Sequence, residues 1–174
     1  MTSKSNLRSQ IVTSRASAPE ATLIADQLRR AFYGTAWHGP SVIELVRDVN
    51  AAAAVARPIA NLHSIWELLL HIEVWDRAAT LRMGGEKCQP TGTDNFPRPP
   101  AKPTEAAWQK AIAKARRTHD SLVKQVAALS EYRLRERCPG KRYDLYHLLH
   151  GVVQHELYHA GQIAILKKAV FSLR

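Results

Sequence analysis

His155 and His159 stand four residues apart in the stretch QHELYHAGQ. On a helix that spacing sets two imidazoles about 40° apart and one turn above each other, near enough for both to ligate one metal ion. The stretch reads His155-Glu156-Leu157-Tyr158-His159, a literal HExxH. In a zinc protease the glutamate of that pattern is the general base. An isolated match of this length does not by itself establish a protease. The helical phase says more. Counting about 100° per residue from His155, Leu148 and Leu166 fall within about 20°, Val152 about 60° and Ile163 about 80° away. The pair therefore points into the apolar stripe that has to face a core, and Glu156 lies at the edge of that stripe.

Two imidazoles on one helix need a partner from another element to make a three-ligand site. His71, in HSIWELLLHIEVW, shares its face with Leu68, Trp75 and Ala78. It suits the third position of a facial set of three nitrogens, which leaves coordination positions open for water or substrate. A single histidine on an apolar face is more often a core residue satisfied by a backbone carbonyl. Glu67 lies one turn before His71, within about 40° of its face. From there it could orient a ligand or bind a metal-bound water. His38, His63, His119, His147 and His150 lack a comparable setting; His150 faces away from His155 and is expected in solvent, and no motif surrounds His119. No Ser–His–Asp or catalytic cysteine arrangement competes with the histidines, and no Gly-rich phosphate loop is present.

Around these residues the 174-residue chain reads as one all-helical domain, residues 19–174, behind a tail. Residues 1–18 are rich in Ser and Thr, contain no acid and lack the apolar core of a secretory signal, so they read as disordered; an organelle transit peptide shares this composition. No apolar run approaches the ~18 residues of a membrane span. Cys88 and Cys138, the only cysteines, form no CxxC pair and read as free thiols of a reducing cytoplasm. One disulfide between two connecting loops is the other reading. The net charge of +10 is concentrated in residues 87–143, with 13 Lys or Arg against 5 acids. Those bases are interleaved with Ala, Gln and Glu, as in KARRTHDSLVKQ, which fits a solvated helix face and not a nucleic-acid groove.

The elements that must position the histidines follow from punctuation. Pro19-Glu20 opens a helix that Gly34 stops. Pro40-Ser41 begins a shorter one through about Asn50, which the alanine run could extend until Pro58. Asn61 can cap the His71 helix, which ends at Gly84-Gly85. EKCQPTGTDNFPRPPAKP, with five prolines, is a long irregular crossover. Thr104-Glu105 starts a helix through about Leu129, and the last helix runs from about Tyr143. No segment alternates as a strand would. The sum is a four-helix bundle with a long crossover, a fold in which metal sites form between facing helices.

Three segments, AWHGPSVIEL, HSIWELLLHIEVW and HGVVQHELYHAGQIAIL, resemble the DinB-like (DinB/YfiT) family of metal-dependent four-helix-bundle enzymes, in order and spacing from about residue 20 to 170. The last is the most specific, because the family usually follows its H-x-x-x-H with Gly-Gln, here Gly161-Gln162. The resemblance implies that His71, His155 and His159 are the metal ligands, with zinc or nickel as the ion. It also implies a small-molecule substrate and an association as homodimers. Some relatives are similar to transferases of low-molecular-weight thiols, so a thiol-S-transferase or a hydrolase is the expected activity. In a hydrolase, Glu67 or Glu156 would take the proton. A non-catalytic metal-binding bundle, with a structural or sensing role, is the alternative. Neither nucleic acid nor membrane is expected as a partner.

Overall fold

The computed structural model describes residues 18–172, and all eight of its elements are helices. The tail expected over residues 1–18 lies, but for its last residue, outside the described residues. Four helices are long: α1 (Glu20–Tyr33), α4 (Ile65–Met83), α6 (Glu105–Ala127) and α8 (Leu145–Ser172). Four are single turns: α2 (Val42–Val46), α3 (Ala51–Val55), α5 (Gly92–Asn95) and α7 (Glu131–Leu134). The long helices close a ring in which α1 and α4 each pack against both α6 and α8. Among the described residues the only strand-like pairing is an isolated bridge between Arg137 and Asp144. Among the described residues no helix is long and apolar enough to cross a membrane.

Side-chain capping decides where several of the helices begin. Ser64, not Asn61, caps α4. Its hydroxyl accepts from Glu67 N, and the Glu67 carboxylate returns to Ser64 N at 2.8 Å, a reciprocal pair that satisfies two of the free N–H groups of a first turn. Asn61 instead occupies the left-handed region at φ 63°, in the turn before the cap. The alanine run likewise does not extend the preceding helix. Asn50 turns the chain out at ψ 169° and accepts from Ala53 N at 2.9 Å, so Ala51–Val55 is a separate turn with its own cap. Asp144 accepts from His147 N and opens α8 two residues later than Tyr143.

The core has two apolar halves. One is built around Trp66, Trp108, Ile72, Ile163 and Leu166, and Trp108 donates its indole N–H to Val49 O at 2.6 Å. The other gathers Ile24, Leu28, Leu122, Val126 and Leu149. Each buried aliphatic side chain contributes about 1.5–3 kcal/mol relative to exposure. Between the halves a polar layer crosses the helices: His71, Glu73 and Asp76 on α4, His119 on α6, and His155, Glu156 and His159 on α8. Burial at that level demands partners for every polar atom.

Candidate metal centre

α4 and α8 pack face to face and bring His71, His155 and His159 to one point. His155 Nε2 lies 2.9 Å from His71 Nε2 and 3.0 Å from His159 Nε2. The remaining ring nitrogens fix the tautomers. His71 Nδ1 is 2.7 Å from Asn95 O, and a carbonyl oxygen can only accept, so the proton is on Nδ1 and the lone pair on Nε2. His159 Nδ1 meets Gln162 Oε1 at 2.7 Å with the same consequence. At least two lone pairs thus converge on the third imidazole.

Electrostatics keep this group uncharged. Burial, partly opposed by the bond to Asn95 O, pulls the His71 pKa down to about 4. Burial and the two neighbouring rings pull His155 to about 3. His159 is also lowered, first by burial, against the pull of Gln162. Three neutral imidazoles with convergent lone pairs are the donor set a divalent ion requires, so the residues present fit a metal. Among the described residues no fourth His, Cys, Asp or Glu joins the group.

The crossover supplies what the helices do not. Its single turn α5 presents Asn95 O to His71, the Asn95 side chain to the Trp75 indole N–H at 2.8 Å, and the Phe96 ring stacked 3.8 Å from the His71 ring. Sequence reasoning placed only an irregular connection here, since a backbone carbonyl leaves no mark on residue type. Gln162 was legible as a motif residue; its role, orienting His159, required the structure.

The histidines open onto a cavity of about 450 Å³ walled by Trp75, Phe96, Tyr143, Leu148, Val152 and Arg82. Neither carboxylate singled out from the sequence lines it. Glu67 caps α4 and takes Arg57 Nη2 at 2.6 Å on both oxygens. Glu156 leaves α8 on the other side and enters a second cluster, with His119 and Asp76, that is sealed from solvent. There His119 Nδ1 is 3.0 Å from Asp76 Oδ2 and 3.2 Å from Glu156 Oε1, and Phe32 stacks on the imidazole at 4.1 Å. Burial alone would lower the His119 pKa, but the two carboxylates raise it to about 10. Burial and Asp76 push Glu156 up to about 8, against the pull of His119. His119 was missed although a signal existed: Ala115, Leu122 and Val126 share its helical face at i−4, i+3 and i+7, and all three are buried. His150, expected in solvent, is half-buried, its Nε2 3.5 Å from Glu20 and remote from the trio. Both cysteines are free, so the disulfide reading of the sequence does not hold.

An all-helical protein with three converging histidines at the base of a cavity defines a class in which a metal ion could be held between helices. The model of the DinB superfamily matches residues 35–163, well over half of the chain, and the protein belongs to that superfamily. Comparison with curated proteins and with solved structures gave no match.

Proposed function

We propose that this protein is a metal-dependent enzyme that acts on a small molecule in the cavity, with His71, His155 and His159 as ligands of one zinc or nickel ion. The observation that carries the reading is the set of three convergent Nε2 atoms at a cavity wall, with no fourth His, Cys, Asp or Glu beside them among the described residues. Structural sites are usually closed by four protein ligands, whereas three leave room for a reactant. Imidazole suits zinc and nickel alike. A divalent ion there would supply Lewis acidity, lowering the pKa of a thiol or a water.

Of the two reactions the superfamily suggests, transfer of a low-molecular-weight thiol to an electrophile fits the cavity better than hydrolysis. Hydrolysis at such a site calls for a general base near the water. Both candidate carboxylates have other partners: Glu67 binds Arg57, and Glu156 faces His119. A thiol gives up its proton more readily once its pKa is lowered and needs less help from a base. Trp75, Phe96, Leu148 and Val152 keep the cavity apolar, which favours sulfur over water beside the histidines. The free thiols Cys88 and Cys138 suit the cytoplasm, where such small thiols are kept reduced.

The test is optical. In the cobalt-substituted protein, 2-mercaptoethanol should produce a near-ultraviolet sulfur-to-metal band that ethylene glycol does not. A spectrum unmoved by the thiol would mean a closed coordination sphere and would favour the structural or sensing role instead.

A further inference from the structure

Arg82 is a buried cation with no counter-charge. It stands in the last turn of α4, 2% exposed, and forms one wall of the cavity that the histidines open onto. Its Nε donates to Cys88 O at 2.9 Å and its Nη2 to Gln89 Oε1 at 3.2 Å, both neutral acceptors. Among the described residues no carboxylate pairs with it, and Nη1 makes no hydrogen bond. Among the described residues the other strongly buried acids each face a base: Glu67 has Arg57, Glu73 has Lys114, and Asp76 and Glu156 share His119. A buried guanidinium without an anion is costly unless something neutralises it, and this one borders the cavity.

The surroundings say what kind of anion fits. The guanidinium carbon lies 5.3 Å from the centroid of the Trp75 ring, and that ring is 5.7 Å from the His155 ring. The indole therefore bridges the cation at one end of the cavity and the histidines at the other. A molecule about as long as the indole would touch both. Its body would lie against Trp75, Leu148 and Val152, so that part must be apolar. One unpaired cation neutralises one negative charge, which favours a carboxylate over a phosphate dianion. Beyond Tyr143 and His147, which belong to the cavity, a shallow surface carries Arg135, Arg137 and Arg142 against the single acid Asp144, which pairs with Arg135 at 3.6 Å. That positive rim would draw anions toward the opening.

We propose that Arg82 is the anion-recognition residue of this cavity, and that the substrate is a small monocarboxylic acid with an apolar body. Its carboxylate pairs with the guanidinium while its other end reaches the histidines. The proposal rests on the cavity being the substrate site, and it makes Arg82 a determinant of specificity.

Isothermal titration with 3-phenylpropionate and its neutral isostere 3-phenylpropionamide tests it, on nickel-loaded and metal-free protein. The wild type should bind the acid at least ten-fold more tightly than the amide in both forms. In Arg82→Gln the ratio should fall to within two-fold, and Arg82→Lys should restore part of it. A ratio near one in the metal-free wild type would overturn the proposal without recourse to any variant, as would inorganic phosphate binding more tightly than the acid. A preference that survives in Arg82→Gln but vanishes when the metal is removed would put the acid on the metal. That outcome would refute the Arg82 subsite and leave the metal reading standing. An Arg82-dependent preference in a protein that takes up no nickel would do the reverse.

Discussion

Adjacent residues of α8 enter two opposite chemical settings. His155 joins two other imidazoles beside an apolar cavity, where no anion stands and burial drives the protons off. Glu156 joins one imidazole and a second carboxylate in the sealed core, where His119 holds its proton up to about pH 10. The same side chain is thus a lone-pair donor in one cluster and a cation in the other. What differs is the sign of the neighbours and the partner of Nδ1: a carbonyl for His71, carboxylates for His119. A set of bases beside a cavity could hold a cation, whereas an imidazole set between carboxylates ties helices together in the core.

Removing the centre of the balanced set should have the largest effect on folding. His119→Ala leaves Asp76 and Glu156 buried without a cation and should cost about 3–5 kcal/mol, read by urea denaturation, while the folded fraction still takes up metal. A loss below about 1 kcal/mol would mean that water or a proton serves the carboxylates as well as the imidazole does.

The two clusters should also fail at opposite ends of the pH scale. In metal-free protein, folded His71 and His155 resist protonation until about pH 4 and 3, whereas the unfolded chain takes up those protons near its ordinary 6.5. Their contribution is present above pH 6.5 and is lost as pH falls through that window. His119 works the other way: its contribution is complete below 6.5 and lost as pH rises toward about 10. Glu156 acts in the same sense over a lower window: raised from 4.5 to about 8, its contribution is complete below 4.5 and is lost as pH rises toward about 8. Glu156→Gln should therefore remove the part of the loss that falls between about pH 4.5 and 8. An unchanged profile over that window would contradict the pairing.

Smaller effects sharpen the contrast. Gln162→Ala removes the acceptor that fixes His159 and should weaken metal binding about 10–100-fold, with the fold intact by circular dichroism. His150→Gln, at a half-buried position beside Glu20, should change stability by less than about 1 kcal/mol and leave metal content alone. A metal loss there as large as in Gln162→Ala would erase the distinction between the histidines.

The trihistidine group was legible in the sequence because helical phase is: two histidines at i and i+4 in an apolar stripe, and a third among Leu68, Trp75 and Ala78, can only face inward. The helices were legible for the same reason, and so were the starts at Pro19, Ser41 and Thr104, whereas those of α4 and α8 were not. Asn61 and Ser64 are both good caps, and the reciprocal bond to Glu67 decided between them. The phase also placed Glu156 at the edge of the stripe without saying which neighbour it would meet. That depended on His119 from α6, and helix pairing is not written in any one segment. The contributions of Asn95 and Phe96 come from a proline-rich crossover whose path has no period to read.

The central claim is that His71, His155 and His159 hold one ion together. Metal per chain after mild dialysis, measured by elemental analysis on the wild type and on the three single alanine variants, tests it most directly. The wild type should carry close to one ion. Each variant should lose most of it, the three alike, and a double variant should lose little more. Full occupancy in His71→Ala would reduce His71 to a core residue bonded to Asn95, and full occupancy in all three would leave the converging nitrogens without a metal.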